Sequence, residues 1–332
     1  MRTVLITRMD NDGDVLLAGP AVRAVAATDQ VVLLVAPSGE QAARLLPGVR
    51  DVLVWSCPWT GFDPPQVDRR SVNTLVDALA IEHLGAAIVL TSYHQSPLPM
   101  ALLLRMAGIK FVAADSEDYP GSLLDLRHRA APAHEVERGL ALVGAMGYRL
   151  PDGDDGRLMI KPTLPNVDHG RFVVVHPGAS VPARTASAEH WRAMVEALVG
   201  AGNKVFVTGS AADRALTSTV AGGNAVDLGG RTTYRQLAAF LRAARAVVVG
   251  NTGPAHLAAA VGTPVVSLFS PVVPAAQWAP WRVPSVVLGD QQAPCRGSRA
   301  RLCPVPGHPC LDQVAPEAVV AAINTVIEEV AA

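Results

Sequence analysis

The sequence predicts an α/β fold made of two Rossmann-like domains of parallel strands facing a central cleft. Three observations predict it. Short β-branched runs alternate with longer helical stretches, as parallel strands joined by helical crossovers require. The alternation lapses between residues 114 and 168 and then restarts. The length, 332 residues, suits about two domains of ordinary size.

The first array opens with a strand at Thr3–Thr7, a polar loop at Arg8–Asp14 and a helix from Val15 to Ala27. Further strands are expected at Val31–Val35, Asp51–Trp55, Ala87–Thr91 and Ile109–Ala113, with helices at Glu40–Leu46, Val72–Leu84 and Leu98–Ala107 between them. A helix at His134–Met146 follows a turn-rich stretch, and Lys161-Pro-Thr-Leu-Pro165 reads as the interdomain linker. The second array has strands at Phe172–His176, Lys204–Thr208, Ala225–Leu228, Ala246–Gly250 and Pro264–Phe269. Its helices are expected at Ala188–Val199, Ala212–Ala221, Tyr234–Arg242 and Pro254–Val261. A closing helix, Pro316–Val330, carries Val319, Val320, Ile323, Val326, Ile327 and Val330 on one stripe. The expected divisions are 1–165, 166–314 and a C-terminal segment 315–332.

Composition narrows the function. The net charge is −1, from 28 basic and 29 acidic residues, so no nucleic-acid partner is expected. The sum hides an asymmetry: residues 1–165 hold 15 basic against 19 acidic side chains, a net of −4, and residues 166–332 hold 13 against 10, a net of +3. No apolar run reaches the roughly 18 residues a bilayer span needs. Asp10, Asp12 and Asp14 interrupt the segment where a leader's apolar region would sit. The expectation is a soluble, cytoplasmic chain. Four cysteines do not suggest a disulfide scaffold.

Five places in the chain carry candidate chemistry. Asn251-Thr-Gly-Pro-Ala-His256 ends an apolar strand and opens an apolar helix. Thr252 suits the N-cap, Gly253 lets the backbone approach a ligand, and Pro254 suits the first turn. Free amides and the positive helix end favour a diphosphate there, and His256 can reach the same anion. The alternative is an ordinary capped helix with a core-facing histidine. In His176-Pro-Gly-Ala-Ser180, with Arg184 downstream, a strand ends in a glycine-containing turn and a guanidinium follows that pairs well with phosphate oxygens; a surface arginine is the alternative. In Asp12-Gly13-Asp14, Gly13 allows a tight turn at the strand's C-terminal edge, which leaves Asp14 as a general base or as an N-cap. Asp10 and Asp12 read as solvated loop charges. Asp213 either accepts hydrogen bonds from a ribose or stabilises a helix start. Cys295, Cys303, His308 and Cys310 fall close together and could supply a tetrahedral zinc site; with no tight C-x-x-C spacing, the default is reduced thiols in a proline-rich loop and no metal. No G-x-G-x-x-G follows a strand, and no P-loop or G-x-S-x-G is present.

In order and spacing these motifs resemble glycosyltransferase family 9, the ADP-heptose:lipopolysaccharide heptosyltransferase family. The resemblance is carried by Val4-Leu-Ile-Thr-Arg8 through Gly13-Asp14-Val15-Leu16 and Pro20-Ala21-Val22-Arg23, by His176-Pro-Gly-Ala179, by Gly250-Asn-Thr-Gly-Pro-Ala-His-Leu-Ala-Ala-Ala260 with Gly262-Thr-Pro264, and by the late cysteine segment. It covers nearly the whole chain. It implies a GT-B fold, with the acceptor on the first domain, the nucleotide sugar on the more positive second domain, and the C-terminal helix packed back on the first. It further implies inversion at the anomeric centre, no required cofactor or D-x-D metal, and an ADP-heptose-type donor. Asp14 matches the base. Arg184 stands where the family usually has Lys near the diphosphate, and Thr252, Gly253 and His256 match the phosphate turn. Asn251 stands where the family often has Asp.

The leading functional expectation is therefore an inverting glycosyltransferase using a nucleotide-diphosphate sugar and a saccharide or lipid-linked acceptor. A nucleotide-sugar epimerase or hydrolase, and a non-catalytic nucleotide-sugar binding protein, are the alternatives. Membrane contact is expected to be at most peripheral, at the inner face.

Overall fold

In the computed structural model, residues 1–61, 63–162 and 165–331 are described. They form two compact units, Met1–Lys161 and Pro162–Ala332, divided at the start of the proline-containing stretch. Thr163 and Leu164 of the expected linker, and Ala332 of the expected C-terminal segment, lie outside the described residues.

The first unit is a parallel sheet of strands β1 (Thr3–Arg8), β2 (Gln30–Val35), β3 (Val49–Val54), β4 (Ala86–Leu90), β5 (Val112–Asp115) and β6 (Leu126–His128), in the order β3-β2-β1-β4-β5-β6. β1 pairs with β2 from Thr3 opposite Gln30 to Arg8 opposite Val35, and with β4 from Val4 opposite Ala86 to Arg8 opposite Leu90. Val4, Leu5 and Ile6 are all fully buried. A central parallel strand covered on both faces reads as a continuous apolar run rather than an alternation. Edge strand β3 instead carries Arg50 and Asp51 at exposed positions.

The second unit repeats the plan. Strands β7 (Phe172–His176), β8 (Lys204–Val207), β9 (Val226–Asp227), β10 (Ala246–Gly250), β11 (Val265–Leu268) and β12 (Ser285–Leu288) pair in parallel in the order β12-β11-β10-β7-β8-β9. Counted within each unit the order is the same, and it reverses direction between the first and fourth strands, β1 and β4 or β7 and β10. Open α/β sheets bind ligands at such a switch point, beyond the carboxyl ends of the strands.

Three elements differ from expectation. The helix expected over Val15–Ala27 is two helices, Asp12–Leu17 and Gly19–Ala26, because Pro20 has no amide to continue the first. Strands β6 and β12 were not anticipated. The C-terminal helix, Pro316–Ala331, packs along the helix Ala188–Gly200 and beside β10, β11 and β12. Its Val319, Ala322, Ile323 and Val326 are buried in the second unit's core with Trp191, Met194 and Leu198. Most of the apolar stripe is thus taken up by the second unit's core. Among the described residues no helix is long and apolar enough to cross a membrane.

Candidate functional site

In the first unit the switch point is built around Arg8, the last residue of β1, which is almost fully buried. Its Nε lies 2.9 Å from Oδ2 of Asp10. Its Nη2 donates to Oδ1 of Asp14 at 3.0 Å, to Oγ of Ser92 at 2.9 Å and to Oε2 of Glu135 at 3.1 Å. Gln95, from the segment after β4, donates to Oδ1 of Asp10 at 2.7 Å. Burial disfavours the Arg8 charge, but Asp10, Asp14 and Glu135 outweigh it and hold the guanidinium above its ordinary value. Burial pushes the Asp10 carboxyl up, Arg8 pulls it down, and Asp14 adds to the rise; the net direction is upward.

The three carboxylates around Arg8 are not equivalent. The Asp14 side chain is 24% exposed, against 9% for Asp10 and 3% for Glu135. Asp14 stands in the first turn of the helix Asp12–Leu17 and is the one most open to a ligand. Gly13 is buried inside that helix and does not form the tight turn expected of it, since the helix begins one residue earlier. Asp10 and Asp12, expected as solvated loop charges, are both engaged. Asp10 joins Arg8, and Asp12 accepts the Ala42 amide at 2.9 Å. Burial pushes the Asp12 carboxyl up to about 6 against that bond.

In the second unit the switch point gathers the other candidates. His176 ends β7, is buried, and its Nδ1 lies 3.0 Å from Oγ1 of Thr208 beyond β8. Burial pushes the imidazole down to about 4, against an opposing pull from Asp213, so it is neutral at pH 7. Beyond β10, Thr252 occupies the N-cap position of the helix Gly253–Ala260, but its side chain makes no capping bond. Its hydroxyl is buried without a hydrogen-bond partner. His256 is buried in the first turn of that helix. Asn251 accepts the Ser270 amide at 3.3 Å through Oδ1, while its buried Nδ2 has no hydrogen-bond partner. A Cβ on Gly250 would lie 2.7 Å from the Arg184 carbonyl oxygen. The backbone of Arg184, on the single turn Pro182–Arg184, is therefore seated directly against the end of β10.

Asp213 caps its own helix start: its Oδ2 accepts from the amide of Ser210 at 2.8 Å and from its hydroxyl at 2.6 Å. A Cβ on Gly178 would meet the same carboxylate at 2.8 Å. Asp213 thus packs against the turn after β7, and the helix-start role accounts for its bonds. Ser180 is exposed in the loop that follows Gly178.

The fold finds its counterpart among known proteins. The family model for glycosyltransferase family 9 (heptosyltransferase) matches residues 82–307. The chain belongs to glycosyltransferase family 9. A lipopolysaccharide heptosyltransferase 1 from Pseudomonas aeruginosa is 34% identical over 193 residues, a match covering 54% of this chain and 54% of that protein. The chain thus matches about half the length of this curated relative. A solved glycosyl transferase family 9 structure from Veillonella parvula superposes with a TM-score of 0.79 at 16% identity, covering 99% of this chain and 98% of that one. E. coli ADP-heptose LPS heptosyltransferase II superposes at 0.73 with 19% identity and complete coverage of both chains. E. coli heptosyltransferase WaaC with ADP-2-deoxy-2-fluoro heptose superposes at 0.72 with 21% identity, covering 97% of this chain and 99% of that one. The α/β architecture is the GT-B fold of family 9 glycosyltransferases.

The late cysteines of this family 9 chain are the segment weighed from sequence as a zinc site. Cys310 and Cys295 approach one another, and Cys303 donates to the Val305 carbonyl at 3.4 Å. Yet among the described residues no group of three or more His, Cys, Asp or Glu side chains is set to hold a metal. Burial, with its two neighbouring thiols, pushes Cys310 up to about 11, so it stays a thiol. Sequence reasoning also missed Arg8, Ser92, Glu135 and Thr208 as site residues. Arg8 had a signal, a cation directly before three aspartates at a strand end. Glu135 had none, since an acid in a first helical turn ordinarily answers the helix dipole.

Proposed function

We propose that this chain is an inverting glycosyltransferase that moves a heptose-type sugar from a nucleotide diphosphate to a hydroxyl of a saccharide or lipid-linked acceptor. The observation that carries the proposal is Asp14, held by Arg8 at 3.0 Å yet the most exposed of the carboxylates around it. Its carboxylate takes the proton of the acceptor hydroxyl as that oxygen bonds to the anomeric carbon. The bond from that carbon to the diphosphate oxygen breaks, and its electron pair leaves with the nucleoside diphosphate. The Arg184 guanidinium and the amides opening the helix Gly253–Ala260 stabilise the leaving charge. Asn251 and Thr252 offer buried donors without partners in the same turn, as a site for an oxygen-rich donor requires. The donor is a nucleotide sugar, with ADP-heptose first among candidates. A lipid-linked acceptor would bring the chain to a membrane surface.

The test uses a panel of ADP-, GDP- and UDP-sugars, with thermal shift to find the donor and calorimetry for the nucleoside diphosphate. Asp14→Ala should abolish transfer and leave nucleotide affinity nearly intact. Transfer by that variant at the wild-type rate would overturn the assignment. Donor consumption without acceptor would favour a hydrolase or epimerase instead.

A further inference from the structure

Glu135 is the first residue of the helix Glu135–Ala145, whose start is fixed by a reciprocal cap between His134 and Glu137. An acid there ordinarily faces solvent and the helix dipole. This one is buried among arginines. Its Oε2 accepts from Nη1 and Nη2 of Arg8, each at 3.1 Å, and its Oε1 accepts from Nη1 of Arg138 at 2.5 Å. Arg138 also lies 3.6 Å from Oδ2 of Asp115 and over the Tyr93 ring at 5.4 Å, and the other Asp115 oxygen meets His128. A chain of alternating charge thus runs from the ends of β5 and β6 to Asp14.

Buried ion clusters are poor sources of stability, and apolar replacements of equal volume often match them. The geometry gives this one another use. Nη2 of Arg8 has two hydrogens and three acceptors: Asp14, Ser92 and Glu135. What Glu135 draws from Arg8 is withheld from Asp14. We propose that Glu135 is a positioning residue for the reaction. It fixes the plane of the Arg8 guanidinium, so that Asp14 is oriented, and takes up part of its charge, so that Asp14 remains basic enough to accept a proton. Arg138 sets how strongly Glu135 does so by holding its other oxygen. The inference rests on Asp14 being the base.

Among the described residues, Arg8 from β1 pairs with Asp14, Asp10 from the loop that follows repels it, and Glu135 reaches it through Arg8; His94, after β4, faces Asp10. Glu135→Gln keeps the shape and removes a negative charge. The acidic limb of kcat/KM should move down by about half to one pH unit, with kcat reduced about tenfold and nucleoside diphosphate affinity unchanged. Arg138→Met removes the opposing charge, and its acidic limb should move up. A cluster that only stabilises the fold would lower the melting temperature and leave both limbs where they are. Limbs coincident with wild type in both variants, with Asp14→Asn inactive, overturn the positioning role alone. Asp14→Asn active at the wild-type rate overturns the base and the positioning role together. If Glu135→Gln does not fold, the upward shift in Arg138→Met decides.

Discussion

The His176 imidazole gives the most direct physical test of the second unit. Its ordinary value is 6.5, and burial pushes it to about 4 in the folded chain. A depressed value means that the neutral ring is favoured on folding. Its contribution to stability is therefore complete above pH 6.5 and is lost as pH falls toward 4. Each unit of separation is worth about 1.4 kcal/mol, so the full loss is about 3 kcal/mol and the loss between pH 7.5 and pH 5 about 2 kcal/mol. Glutamine at this position does not titrate, so wild type and His176→Gln should differ in the pH dependence of stability by that amount. Urea denaturation of both proteins at pH 5, 6 and 7.5 measures the difference, and carboxylates that titrate in both cancel. Parallel pH dependences would refute the reasoning. A neutral His176 also offers no charge to a phosphate, so nucleotide affinity should not rise through protonation of this ring between pH 8 and pH 6.

Other substitutions probe the remaining geometry. Asp12 is raised to about 6 by burial, so its contribution is present below its ordinary range and is lost as pH rises through 6. Asp12→Asn should stabilise the protein by about 3 kcal/mol at pH 7.5 and by only about 0.5 kcal/mol at pH 4, and an equal gain at both in urea denaturation would contradict this. Gly250→Ala would set a methyl 2.7 Å from the Arg184 carbonyl; the forced shift should destabilise by about 1–3 kcal/mol and weaken nucleoside diphosphate binding in calorimetry. Arg184→Ala should weaken the same binding roughly 10- to 100-fold, and unchanged affinity would remove it from the leaving-group site.

The legible parts of this chain are those whose cause is local. The buried central strands announce themselves as apolar runs, and the turn Asn251–Pro254 shows its strand before it and its helix after it. Strand β6 is only Leu126-Arg127-His128, with no run to recognise, whereas β12 is an apolar segment between Pro284 and Gly289 that its bounding residues did signal. The break at Ala18 was likewise signalled by Pro20. Asp10 was hidden for a different reason. Its polar neighbours along the chain suggest solvent, and the partners that bury it, Arg8 and Gln95, include one 85 residues away. Glu135 meets Arg8 across 127 residues, a distance no local pattern spans.

The placement of the last helix bears on how the chain is made. Residues 1–161 hold a complete sheet and can close their core while the rest is still being synthesised, as domains generally do when they fold in order from the ribosome. The second unit has no such freedom. Its β10 and β11 are covered by Pro316–Ala331, which supplies Val319, Ile323 and Val326 to the core. Until that helix emerges, apolar sheet surface stays uncovered. Deletions within the helix Pro316–Ala331 should therefore be felt throughout the half of the molecule proposed to hold the nucleotide, although none of those residues is proposed to touch it.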